Sequence, residues 1–123
     1  MRTGLPAVIL IEMDDVTLDL YRRELSKAFE VLTFTQIDGV LEALADRDVR
    51  AVVIEPEVDS GAGWELIRSL RAPFPGRSVP VIVCSTREPR RTEADGEVAK
   101  YLTKPVLPKT LLEKILEVTK NGK

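Results

Sequence analysis

Apolar and polar positions along the chain switch repeatedly between two rhythms. Ala7–Met13 reads AVILIEM, a short run of branched apolar side chains that predicts a strand covered on both faces. The segment DDVTLDLYRRELSKAF follows. It sets Val16, Leu20 and Leu25 at helical spacing with Tyr21 and Ala28 nearby, and Asp14 or Asp15 supplies a cap. Glu30–Thr35 reads as a second strand, and Ile37, Val40, Leu41 and Leu44 as the apolar side of a second helix. RAVVIE, ending on Glu55, does not alternate and predicts a third buried strand. Gly63–Ala72 predicts a third helix, broken by the prolines and glycine of PFPGRS. Val79–Ser85 is a fourth strand. TREPRRTEADGEVA carries the least pattern, at most a short helix ending near Gly96. Lys100–Lys104 is a short fifth strand, and the last helix presents Leu111, Leu112, Ile115, Leu116 and Val118.

Strand and helix therefore alternate with short connections over the whole chain. That order predicts an α/β fold in one domain, residues 1–123 with a core of about 6–120, in which a parallel sheet carries helices on both faces. In such sheets, sites form beyond the carboxyl ends of the strands near the topological switch. The residues there are Glu12, Met13 and Asp14, then Glu55, then Ser85 and Thr86, then Lys104. Acids converging at one edge repel unless a cation sits among them, and Lys104 is the available counter-charge.

Composition removes several function classes. The net charge is −2 and aromatics make up 5%, which argues against an extended nucleic-acid or anionic-membrane surface. There is no histidine, so Ser/His/Asp and Cys/His nucleophile systems are excluded, as is a phosphohistidine in this chain. Cys84 is the only cysteine, which rules out an internal disulfide and the usual zinc sites, and fits a reducing, cytoplasmic setting. The apolar run Leu5–Ile11 is too short to span a bilayer and lacks a cleavage pattern.

Three stretches carry a family resemblance: VVIEPEVDSGAGWELIRSLR, VPVIVCST and YLTKPVLPKTLLEKI. In this order the chain resembles a CheY-like response-regulator receiver domain over nearly its whole length. The resemblance implies a doubly wound, flavodoxin-like (βα)5 fold with strand order 2-1-3-4-5. It also implies a site in which an aspartate after the third strand takes a phosphoryl group from a histidine kinase and two acids after the first strand hold Mg²⁺. A hydroxyl after the fourth strand and a lysine after the fifth touch the phosphoryl oxygens, and an aromatic in the fifth strand responds. Carried over by position, these last three are Ser85, Lys104 and Tyr101, and the Lys104–Pro105 bond is of a kind often cis in the family.

The acids depart from that pattern. The acceptor position holds Glu55, and the metal pair falls on Glu12 and Met13. A thioether is a poor ligand for Mg²⁺, and glutamate carries its carboxylate about 1.5 Å further out than aspartate. Phosphoryl transfer depends on placement, and an error of about 1 Å can cost on the order of 10²-fold. The expectation is a pseudo-receiver. It is a signalling module rather than an enzyme, it binds a histidine kinase or a downstream effector, and it is a monomer or homodimer. Any metal site is weak, built from Glu12, Asp14 and Glu55. Two alternatives stand beside it. One is a working receiver that recruits Asp14 or Asp15 to Mg²⁺. The other is a flavodoxin-like enzyme or nucleotide binder, against which EMDDVTL offers no glycine-rich phosphate loop.

Smaller features complete the reading. The Ser85–Lys104 stretch is shorter than the family's, which implies a short or irregular fourth helix, and the family's usual glycine before Phe29 is missing. Arg87–Arg91 is a docking patch or a solvated loop. Trp64 is an interface anchor or a cover for the start of the third helix. Tyr101 is a rotameric switch or packs beside the last helix. The chain stops soon after that helix, so output is expected to pass through a partner.

Overall fold

The structure, a computed structural model, describes residues 4–70, 79–87 and 98–120. The elements are β1 (Ala7–Ile11), α1 (Asp15–Leu25), β2 (Glu30–Phe34), α2 (Val40–Asp46), β3 (Val49–Ile54), α3 (Val58–Gly61), α4 (Gly63–Ser69), β4 (Val81–Ser85), β5 (Lys100–Thr103) and α5 (Pro108–Lys120). The five strands form one parallel sheet in the order β2-β1-β3-β4-β5. β1 and β4 are buried at every residue, as their unbroken apolar runs demand, and β2 at the edge is only half-buried.

Side-chain alternation divides the core into two layers. Val8, Leu10, Ala51, Val53, Ile82 and Cys84 face α1 and α5, where Tyr21, Leu25, Leu111 and Ile115 meet them. Ile9, Ile11, Val52, Ile54, Val81 and Val83 face α2, α3 and α4, where Val40, Leu44, Val58, Trp64 and Ile67 meet them.

Several expectations need correction. In α1 the buried positions are Tyr21 and Leu25, with Leu18 packed beside them, while Val16 and Leu20 are 70% and 50% exposed. Two apolar stripes compete on this helix, and only the one centred on Leu18, Tyr21 and Leu25 points at the sheet. Leu41 of α2 and Leu116 of α5 also face outward, leaving Val40, Leu44, Leu111 and Ile115 inside. Strand ends are a residue shorter than read, at Phe34 and Thr103. The continuation of the third helix past Leu70, most of the Arg87–Arg91 run and the expected fourth helix fall outside the described residues.

Two turns shape the carboxyl edge of the sheet. Asp14 caps α1, its carboxylate accepting from the amide of Thr17 at 2.9 Å and from its hydroxyl at 2.7 Å. After β3 the chain enters an unusual turn in which Asp59, Ser60 and Gly61 are consecutively left-handed, with φ of 50°, 58° and 96°. Gly63 then starts α4 against Pro56, where a Cβ would lie 2.7 Å from backbone atoms, so only glycine fits. Among the described residues no helix is long and apolar enough to cross a membrane.

Candidate functional site

The site grows out of the ladder itself. Beyond the last paired residues, Glu12 donates its amide to the carbonyl of Phe34 (3.0 Å), Glu55 to that of Ile11 (2.9 Å) and Lys104 to that of Ser85 (2.7 Å). Each of the three is thus held in register one residue past its strand. Alternation then fixes their side. Glu12 continues Val8 and Leu10, Glu55 continues Ala51 and Val53, and Lys104 follows Leu102, so all three lie on the α1/α5 side. Ser85 continues Val81 and Val83 and has the opposite parity.

Strand order puts β1 beside β3 and leaves β5 two strand spacings, about 9.6 Å, from β3. The long stem of Lys104 crosses that gap over β4. Its Nζ donates to Oε1 of Glu12 at 2.8 Å and to Oε1 of Glu55 at 2.9 Å. The second oxygen of each carboxylate accepts a backbone amide two residues ahead, Glu12 from Asp14 and Glu55 from Glu57, both at 3.1 Å. Glu12 and Glu55 are 2% and 3% exposed, so the ion triad is shielded from water on the acid side. Burial by itself would push the Lys104 ammonium down. The hydrogen bonds it donates to Glu12 and Glu55 outweigh that and hold the ammonium above its ordinary range.

The other candidate residues stand apart from this triad. Ser85 is buried, and its hydroxyl accepts the amide of Arg87 at 3.2 Å. Met13 is 51% exposed beside the triad. Asp14 is committed to its helix cap, and the Thr17 hydroxyl and amide hold its carboxyl below the usual carboxylate range. Among the described residues no group of three or more His, Cys, Asp or Glu side chains is arranged to hold a metal ion. The donor set does not suit Mg²⁺: both acids at the edge are already turned onto one ammonium, and a soft thioether stands where a hard oxygen would be required.

Tyr101 does not pack beside the last helix. It belongs to the opposite layer, stacks on Trp64 with ring centres 6.4 Å apart, and donates its hydroxyl to the Arg87 carbonyl at 3.0 Å. Trp64 is therefore buried cover rather than an exposed anchor, and among the described residues its buried indole N–H has no hydrogen-bond partner. Arg87 reaches Glu57 at 3.0 Å. The sequence marks Arg87 only as part of the Arg87–Arg91 patch or loop and does not single out Glu57; the available signal is EPE, which sets a second acid two residues after Glu55. The Lys104–Pro105 peptide is cis.

No family model matches the sequence, and neither does any curated protein sequence. The fold, in contrast, has many solved counterparts. A receiver domain from Methanospirillum hungatei superposes with a TM-score of 0.82 at 20% identity, covering 95% of each chain. A response regulator from Thermotoga maritima gives 0.80 at 20% identity, covering 95% of this chain and 99% of that one. A receiver domain from Methylobacillus flagellatus gives 0.78 at 19% identity, covering 94% and 99%. With its β2-β1-β3-β4-β5 sheet and these neighbours, the chain has the fold of the CheY-like response-regulator receiver domains.

Proposed function

We propose that this chain is a receiver-fold signalling module that acts by binding another protein and does not cycle through a phosphorylated residue 55. The observation that carries this reading is the triad: the carboxylate at the acceptor position is buried and turned onto Lys104, with its second oxygen on a backbone amide. To attack a phosphoryl donor, Glu55 would have to leave both partners without a divalent ion to offset the incoming charge. A working receiver that recruits Asp14 would also have to give up the α1 cap.

The module's role is binding rather than turnover. Met13, which follows Glu12 of the triad, and Val16 and Leu20 of α1 have exposed side chains and offer apolar contact area to a protein partner such as a histidine kinase or an effector. Signalling function is supported by the fold shared with receiver domains and by the location of the charged triad at the edge where such sheets place their sites.

The test is incubation with acetyl phosphate, and separately with beryllofluoride, each with Mg²⁺. Intact mass and Trp64 emission are the readouts. Neither is expected to change. A phosphoryl adduct mapped to Glu55 would overturn the reading. Repeating the incubation on Met13→Asp/Glu55→Asp shows whether the two departures are what prevents labelling.

A further inference from the structure

The amino end of the sheet holds a second polar cluster, separated from Glu55 by the length of β3, roughly 16 Å. There β3 breaks its alternation. Ala7 of β1 pairs with Val49 and Val8 with Ala51, so Arg50 is an extra residue that the β1 register skips. In a regular strand Arg50 would share the parity of Val52 and Ile54 and enter the α2/α4 layer. The bulge gives that layer to Val49 and leaves the Arg50 side chain 52% exposed. Arg50 lines a cavity of about 290 Å³ whose other walls are the Gly4–Ala7 segment, Glu30, Arg47 and Asp48.

The two cations of this lining are held differently. Arg47 pairs with Glu30, each side chain only about a quarter exposed, and the Glu30 amide donates to the Pro6 carbonyl at 2.9 Å. That pair is part of the wall. Arg50 meets Asp48 through Nε at 3.3 Å, and the Asp48 side chain is 77% exposed. An ion pair so open to water is weak and readily exchanged. A guanidinium presents a planar fork of donors that suits a phosphate or carboxylate bidentately. Leu5 and Pro6 set apolar surface beside it.

We propose that this cavity binds a small organic anion, a phosphate or carboxylate on a short apolar body. Arg50 is the anion receptor, Asp48 its tethered competitor, and Leu5 and Pro6 the apolar wall. The arriving oxyanion takes the fork, and Asp48 turns to water at little cost. The volume lies at the lower limit of small-molecule pockets, which suits a single ring or short chain. The four charges of the lining cancel, so affinity comes from displacing Asp48 rather than from a general positive field.

The experiment is a titration with phenyl phosphate, benzoate and inorganic phosphate, followed in ¹H–¹⁵N spectra with chloride holding the ionic strength constant. Phenyl phosphate or benzoate is expected to shift the amides of Gly4, Asp48 and Arg50 saturably, and inorganic phosphate to bind more weakly. Arg50→Gln is expected to weaken binding about tenfold or more, because it removes a charged hydrogen-bond donor. Asp48→Asn is expected to tighten it about two- to fivefold, because it frees Arg50 from its pair. Where Arg50→Gln does not fold, Arg50→Lys keeps the charge without the fork and is expected to bind several-fold more weakly than wild type. The proposal is overturned by shifts that do not saturate, or that fall on the amides of Glu55, Ser85 and Lys104 instead. It is equally overturned by undiminished binding in the Arg50 variants, by no gain in Asp48→Asn, or by inorganic phosphate binding as tightly as the organic anions. These amides report the end of the sheet away from Glu55, so failure here leaves the signalling reading standing.

Discussion

The two faces of the sheet end differently at its carboxyl edge. On the α1/α5 side the edge closes with three charges, and every carboxylate oxygen of Glu12 and Glu55 has a partner. On the α2/α4 side it closes with the Trp64–Tyr101 stack, an indole N–H that finds no partner among the described residues, and an Arg87–Glu57 pair whose side chains are 42% and 32% exposed. Buried polar groups are costly unless satisfied, and once satisfied they hold one geometry firmly. The ionic side is thus expected to be the stiffer end of the sheet and the aromatic side the more compliant one. Both are built from residues that carry charge or hydrogen-bonding capacity, so residue type alone does not set their stiffness. Burial does.

The largest test of this contrast is Lys104→Met. Removing one member of a buried ion network strands the others, at a cost of about 3–5 kcal/mol. Urea denaturation without divalent ions reads the loss directly. A change under about 1 kcal/mol would mean that the two ends do not differ in the way burial implies.

Alkali should attack the same side selectively. Burial pushes the Cys84 thiol from an ordinary 9.0 up to about 12. It pushes the Tyr21 hydroxyl, which donates to the Val106 carbonyl, from 10.0 up to about 12. Lys104 is raised above 10.5, because its two carboxylate hydrogen bonds outweigh the lowering effect of burial. All three groups hold their protons more tightly in the folded state. The unfolded chain therefore releases protons first as pH rises, and stability falls. The expected profile is level through neutrality, then declines from about pH 9, by about 1.4 kcal/mol per unit for each group within its own window. Denaturation at a series of pH values checks it, and Cys84→Ala should move the onset toward pH 10.

At the turn that joins the two sides, Gly63→Ala forces a methyl group onto Pro56 backbone that would lie 2.7 Å away. The loss is expected at about 1–3 kcal/mol, because backbone yields less readily than a side chain. Trp64, the next residue, reports any displacement of α4 through its emission. A stable variant with unchanged emission would show that this junction is looser than its packing indicates.

Much of this arrangement was legible in the residues. The branched apolar runs at 7–11 and 51–54 read as buried strands, and their order places Glu12, Glu55 and Lys104 at one edge. What was hidden follows from phase. On α1, positions 16 and 20 and positions 18, 21 and 25 are both apolar at helical spacing, and spacing does not say which stripe meets the sheet. The same blindness concealed Tyr101, whose parity in β5 turns it away from α5 and toward Trp64. Lys104 was expected among the acids. That it would bridge two carboxylates at once depends on the distance across β4, which only the folded sheet supplies.

The smallest expected effect belongs to the compliant side. Arg87→Ala removes the guanidinium that meets Glu57 at 3.0 Å. An ion pair exposed to this degree gains little in water, and its loss should cost under about 1 kcal/mol and shrink further in salt. Tyr101 donates to the main-chain carbonyl of Arg87, not to its side chain, so the hydrogen bond and the Trp64 stack should survive the substitution. Urea denaturation at low and high salt measures the first point, and Trp64 emission the second. A loss approaching that of Lys104→Met, insensitive to salt, would show that Arg87 is held in a less solvated setting than its exposure implies. It would also remove the distinction between the two ends of the sheet.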